Sequence, residues 1–463
     1  MTEVTKWSAA ETAANIRKGA ISVTDVTKAH LARIAAVNPS INAVTVVPDD
    51  ALTQAAAMDA AGLPDTVPPL YGVPVTTKIN VDQAGQINSN GIPDFAGNLC
   101  TKDSAVVGNL KSAGAVVVGR TNTPEFSMRW CTSNPLHGVS LNPWNAAITP
   151  GGSSGAAAAA VASGIGTIAH GNDLGGSLRY PAFCCGVATI KPSVGRIPAF
   201  NPGAAVERPP ITQTMSVQGP IARSIGDVRL GLAAMARQSH DDPMWVPAPP
   251  QPDKTTFKVG YCHAPFATGP DPAIAGAMDD AIAALKAAGV EMVEMDAPRA
   301  DECAKLWGDL LFTEGSVMMR PMVDQHGSDE MKAVIDAYST AYDLLDMAGV
   351  MEGLRERIIL QRIWAQLFAD IDAFLMPVSL IPPFENDLDF KDPSKVPGIL
   401  TAQQPLFLVN ILGLPAAAIP TGLADGIPVG VQLIGAMHSD YRVLDIAEKA
   451  EAELGRIVTE LQI

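Results

Sequence analysis

Residues 70–77 read Leu-Tyr-Gly-Val-Pro-Val-Thr-Thr, an apolar and β-branched run that predicts a buried strand ending at Lys78. A second apolar block, 156–163, is almost all alanine and predicts a helix, because alanine loses no side-chain entropy on ordering. Gly164 ends that helix, 165–170 is a short buried strand, 171–176 reads as a turn, and Ser177 opens the next segment. Towards the N-terminus, 8–37 carries two helical patterns. Ser8 with Glu11 and Ser22 with Asp25 resemble capping boxes, and Asn38-Pro39 is expected to stop the second helix. A strand at 43–48 and a helix at 51–61 follow, then a helix at 103–113 and a strand at 115–119.

The second half begins with a proline-rich stretch, 199–255. A strand over 256–261 precedes a helix over 272–288, with Asp271 as N-cap and proline at the first helical position. Strands are predicted at 290–295, 374–377 and 416–420, and a closing helix at 440–454. Residues 300–370 are mostly helical and rich in Met and Leu, which suits a cover over a sheet. Strands alternating with helices imply an α/β fold with a mixed central β-sheet covered by helices on both faces. No clean linker interrupts 1–463, so one domain is expected.

Composition narrows the function classes. Hydrophobic residues are 47% and charged residues 17%, enough for a large core. A net charge of −16 argues against a free-standing binder of nucleic acid or anionic membrane. No apolar run approaches the ~20 residues that span a bilayer, and the N-terminus lacks a signal-peptide pattern. Six scattered cysteines fit a reducing, cytoplasmic setting. The seven histidines have no metal-binding spacing, and no phosphate- or dinucleotide-binding loop is present, so no metal or cofactor is expected. Adjacent Cys184 and Cys185 read as buried small residues in a tight turn.

The chemistry-bearing stretch is 150–198. It holds two serine-bearing glycine loops, Gly151-Gly152-Ser153-Ser154-Gly155 and Gly175-Gly176-Ser177. Glycine lets the backbone approach a ligand closely, and a neighbouring serine then shares that space with free N–H groups. The plainer alternative for the first loop is a helix cap. The first loop also matches G-x-S-x-G, a nucleophile elbow, but the proline-bearing residues before it are poor strand material. Lys78, at the end of an apolar strand, is either a surface lysine or a desolvated, neutral base.

These motifs resemble the amidase signature family. The resemblance rests on the Gly151–Gly155 loop, on 171–181 (Gly-Asn-Asp-Leu-Gly-Gly-Ser-Leu-Arg-Tyr-Pro), on Lys191-Pro192-Ser193-Val194-Gly195-Arg196, on 71–78, on 119–126, and on the C-terminal segments 413–416 and 426–432. It spans nearly the whole chain. The wording His170-Gly171-Asn172-Asp173 is similar to the branch that hydrolyses the cyclic nylon dimer. Ala156, Asn172 and Ile79 depart from the commoner family residues without touching the chemical ones.

The resemblance implies an amidohydrolase working through an acyl-enzyme. Ser177 is then the nucleophile, Ser153 passes the proton and Lys78 is the base, with a cis peptide between Gly152 and Ser153. The oxyanion would rest on the backbone N–H groups of Leu174, Gly175, Gly176 and Ser177. Ser154 would support the site, and Asp173 and Arg179 would orient the loop, the alternative being a solvated pair. Phe126, Met128, Trp130 and Leu136 would line the acyl side of the pocket, with Met318 and Met319 in the cover. The expected substrates are neutral, apolar or aryl amides, with carbamates and linear or cyclic amide oligomers as alternatives. A tRNA-dependent amidotransferase subunit and a catalytically silent assembly protein are the readings from other classes. The charge favours a chain acting alone on a small molecule, as monomer or homodimer.

Overall fold

The structure is a computed structural model that describes residues 3–204 and 206–461. Its centre is an 11-stranded mixed sheet. From edge to edge the strands are Val44–Val46, Val116–Thr121, Pro74–Lys78, Ile168–Asp173, Val217–Ala222, Ala188–Lys191, Ala416–Ala424, Ile427–Ile434, Ala373–Pro377, Lys258–Tyr261 and Glu291–Glu294. Two large apolar clusters lie on the sheet and its helices. One holds the all-buried helix Gly155–Ala162, and the other holds the buried faces of Ile225–Met235, Pro272–Ala287 and Asp440–Leu454. Helices on both faces leave the central strands buried on both sides, most of their polar residues included.

Local signals set many boundaries. Ser8 and Glu11 form the reciprocal capping box, Ser22 accepts from the Asp25 N–H, and Asp271 caps its helix through the Ala273 N–H. The helices Ala51–Ala61 and Asp440–Leu454 fall where the pattern puts them. The cover is four helices, Ala300–Met318, Arg320–His326, Asp329–Ser339 and Met347–Leu367.

Three expectations are corrected. The second helix does not stop at Asn38-Pro39 but runs over Val23–Ile41. Pro39 lies in the last turn, and the Asn38 side chain bonds the Ala43 and Val44 N–H groups at 2.9 and 2.7 Å, steering the chain into the next strand. The strand expected at 165–170 is Ile168–Asp173, so 171–173 is strand rather than turn. Antiparallel pairing with Val217–Ala222 decides this, since Gly171, Asn172 and Asp173 face Gly219, Gln218 and Val217. Cys184 and Cys185 end the helix Arg179–Cys185 instead of forming a tight turn, and both are fully buried.

Candidate active site

Pro74–Lys78 and Ile168–Asp173 are parallel neighbours, Val75 facing Ile168 and Thr76 facing Ala169. Their carboxyl ends therefore emerge together, the edge at which sheets of this kind build ligand sites. Lys78 leaves the first strand, and Asn172 and Asp173 leave the second. The Gly151–Gly155 loop lies across both, because Gly155 opens the alanine helix packed on these strands.

Lys78 is wholly buried, and its Nζ lies 2.7 Å from Ser153 Oγ, 3.2 Å from Ser154 Oγ and 2.7 Å from Asn172 Oδ1. Burial pushes the amine well below its ordinary range, and the Asp173 charge offsets only part of that. A neutral amine has two N–H groups and one lone pair. Asn172 Oδ1 can only accept and takes one N–H. Ser154 Oγ takes the other, and the lone pair is left for the Ser153 hydroxyl. The Gly152–Ser153 peptide is cis, as the resemblance implied.

Asp173 and Arg179 are a buried pair, not a solvated one, with Nε to Oδ2 at 3.0 Å and neither side chain exposed. The Asp173 carboxylate also accepts from the Gly176 N–H, the Leu178 N–H and Asn410 Nδ2. Burial pushes this carboxyl up, but Arg179, Lys191 and Asn410 outweigh it and hold it at about 2. Arg179 is fixed in turn by Gln432 Oε1, Asn410 Oδ1 and the Leu406 carbonyl. The Gly176 amide is thus engaged by Asp173, which corrects its expected place among free oxyanion donors. The amides of Leu174, Gly175 and Ser177 find no acceptor among the described residues.

Ser153, Ser177, Leu174 and Gly175 line one cavity of about 700 Å³. Ser177 is half-buried there, and its hydroxyl has no hydrogen-bond partner among the described residues. The structure therefore joins Ser153 to Lys78 directly and brings Ser177 to the same cavity without a Ser153–Ser177 hydrogen bond. Such contacts are often long before substrate binds. Phe126, Met128 and Trp130 line the cavity, as does Met319 from the cover. Leu136 does not: it sits at the tip between the paired Ser133–Asn134 and Gly138–Val139. Met318, 46% exposed, does not line the cavity. Sequence reasoning missed the lining residues Trp307, Leu311 and Phe312, and it missed Asn172 as a partner of the amine.

No strand leads into Ser153, and the Ser153 hydroxyl meets Lys78 rather than a histidine, so the nucleophile-elbow alternative loses its support. His170 lies close by, but burial holds it near pKa 3, and its Nε2 pairs with Gln218 Oε1 at 2.7 Å. Cys131, Asp387 and Asp389 are the one metal-like cluster among the described residues. Arg129 already bonds both carboxylates, and Ser133 and Tyr338 supply further donors, so a fixed guanidinium stands where an ion would.

Residues 25–444 match the family described as Amidase, and the chain belongs to it. It is 43% identical to an indoleacetamide hydrolase of Bradyrhizobium diazoefficiens over 99% of this chain and 88% of that one. Among solved structures it is similar to a 6-aminohexanoate cyclic dimer hydrolase complexed with substrate, at 26% identity, TM-score 0.81 and 98% coverage of both chains. A bacterial aryl acylamidase of the amidase signature family shares the fold, with TM-score 0.83 and 24% identity over 96% of each chain. No helix among the described residues is long and apolar enough to cross a membrane.

Proposed function

We propose that the chain is an amidohydrolase that cleaves the C–N bond of neutral aryl or arylalkyl amides through an acyl-enzyme on Ser177. The observation that carries this reading is the buried Lys78 amine held between Ser153, Ser154 and Asn172 at the edge of the cavity that Ser177 lines. Ser177 attacks the carbonyl carbon while its proton passes to Ser153 and the Ser153 proton to the Lys78 lone pair. The amides of Leu174, Gly175 and Ser177 receive the oxyanion, each such donor being worth about 3 kcal/mol. Lys78 then returns the proton through Ser153 to the departing amine. A water takes the amine's place, and the same relay activates it to free Ser177. Ser154 keeps the amine in position, and Asp173 with Arg179 holds the loop.

The relationship to an indoleacetamide hydrolase over nearly the whole chain supports a primary arylacetamide as substrate, and the apolar walls Phe126, Met128, Trp130, Trp307 and Phe312 suit an aromatic acyl group. The cavity volume favours a second reading, an extended or cyclic amide oligomer. The chain acts alone and in the cytoplasm, a reading supported by its −16 charge and its six free cysteines. The test is hydrolysis of indole-3-acetamide, an anilide, a cyclic 6-aminohexanoate dimer and an aryl carbamate. The arylacetamide should have the highest kcat/KM. A preparation that takes up a fluorophosphonate yet hydrolyses none of the four would overturn the substrate reading.

A further inference from the structure

The loop that follows Asp173 is held from outside the glycine-serine motifs. Trp307, on the cover helix Ala300–Met318, donates its indole Nε1–H to the Leu174 carbonyl at 2.9 Å. Trp130 donates its own to the Gly175 carbonyl at 2.9 Å. Phe407 wedges the two rings. It stacks on Trp307 with centroids 3.9 Å apart and planes 5° from parallel, and it meets Trp130 at 5.6 Å. The rings close so tightly on Gly175 that a Cβ there would lie 2.7 Å from Trp307 Cζ2.

A trans peptide is planar, and its C=O and N–H point in opposite directions. Fixing a carbonyl therefore aims the N–H of the next residue. The rule can be checked within the loop: Trp130 holds the Gly175 carbonyl, and the Gly176 N–H on the far side of that peptide meets Asp173 Oδ1 at 2.9 Å. By the same rule the Trp307 bond to the Leu174 carbonyl turns the Gly175 N–H away from the indole, where it has no protein acceptor among the described residues. We propose that Trp307 is a positioning residue of the reaction: its indole N–H aims the Gly175 amide at the developing oxyanion. This rests on the proposed Ser177 acyl-enzyme. It also makes the helical cover, through one hydrogen bond, part of the device that stabilises the transition state.

Trp307→Phe keeps an aromatic ring against Phe407 and deletes the N–H. Direct loss of an oxyanion donor lowers kcat about 10²–10³-fold, so a donor that is misaimed rather than lost should cost about tenfold or more. The expected result is that fall in kcat with KM within about threefold of wild type. The rate of Ser177 labelling by a fluorophosphonate, whose phosphoryl oxygen uses the same donors, should fall in parallel. Phe407→Leu removes the stack and keeps the N–H, so its loss in kcat should be clearly smaller than that of Trp307→Phe. Benzothienylalanine at position 307 replaces N–H by sulfur at nearly constant shape, and it decides the matter should Trp307→Phe not fold. A kcat within twofold of wild type in either N–H deletion overturns the proposal, as does an equal loss in Phe407→Leu. If wild type hydrolyses no amide, the functional reading fails by itself, and labelling rates still judge Trp307.

Discussion

Replacing Lys78 by methionine removes the amine and keeps an unbranched apolar stem in a site with no exposed surface. The amine touches three oxygens within 3.2 Å and is the one proton acceptor that the Ser153 hydroxyl reaches among the described residues. A positioned base contributes about 10²–10⁴-fold, and amide cleavage uses this one twice, to activate Ser177 and to protonate the leaving amine. The loss in kcat/KM on an amide should therefore be about 10³-fold or more, about 4 kcal/mol of transition-state stabilisation. A matched ester expels a better leaving group and should lose about tenfold less. Lys78→Arg should recover nothing, since a guanidinium stays charged. The wild-type rate should rise with pH as the amine loses its proton, at a pH below the ~10.4 of a free lysine, and this limb should vanish in Lys78→Met. Wild-type stability should rise with pH as well. Between the lowered folded pKa and ~10.4 the unfolded chain binds the extra proton, so wild-type stability rises with pH by about 1.4 kcal/mol per pH unit from this group. Below that window the whole cost of burying the amine is felt, and Lys78→Met relieves it. The variant should thus be at least as stable as wild type at pH 7 in urea titrations. An amide kcat/KM within tenfold of wild type, or equal losses on amide and ester, would refute the reasoning.

Ser177→Ala should abolish both hydrolysis and fluorophosphonate labelling while melting like wild type. Ser153→Ala should keep slow labelling, and the reverse pattern would restore the elbow reading. The purified chain should hydrolyse its amide at full rate without any added protein or tRNA. Activity that appears only with a partner chain and tRNA would move the protein to the amidotransferase reading.

Much of the molecule was legible because local chemistry decides it. The Ser8–Glu11 box, the Asp271 cap and the 51–61 helix depend on residues within a few positions of one another. Lys78 could be singled out because an apolar β-branched run led straight to it. Residues 171–173 were misread because their state is set by Val217–Ala222, a partner more than forty residues away. Leu136 followed a motif in sequence but turned out at a hairpin tip, which no periodicity reports. Trp307 carried no signal, since a tryptophan on an amphipathic helix is ordinarily core. Asn410 and Gln432 did carry one: each is a lone amide inside an apolar run, and such a group is buried only with partners, here Arg179 and Asp173.

That buried network has a consequence for the base. A lone carboxylate beside Lys78 would favour the ammonium form and disarm the relay. Asp173 does act on Lys78 in that direction, yet Arg179 pairs with it and leaves burial in control. Arg179→Met removes the compensating charge and leaves Asp173 buried and unpaired, which should cost about 3–5 kcal/mol of stability. In the protein that remains folded, Lys191 and Lys78 are left to offset the Asp173 charge, so Lys78 holds its proton more tightly. The pH–rate limb should then move to higher pH than in wild type. The double variant Asp173→Asn with Arg179→Met has neither charge, so its limb should return towards the wild-type position, although its loop will be less well held. The measurement is kcat/KM against pH for wild type, the single and the double variant on one amide. A single-variant limb that stays put or moves to lower pH would show that Arg179 does not govern the charge state of Lys78, and that the pair serves only to hold the loop.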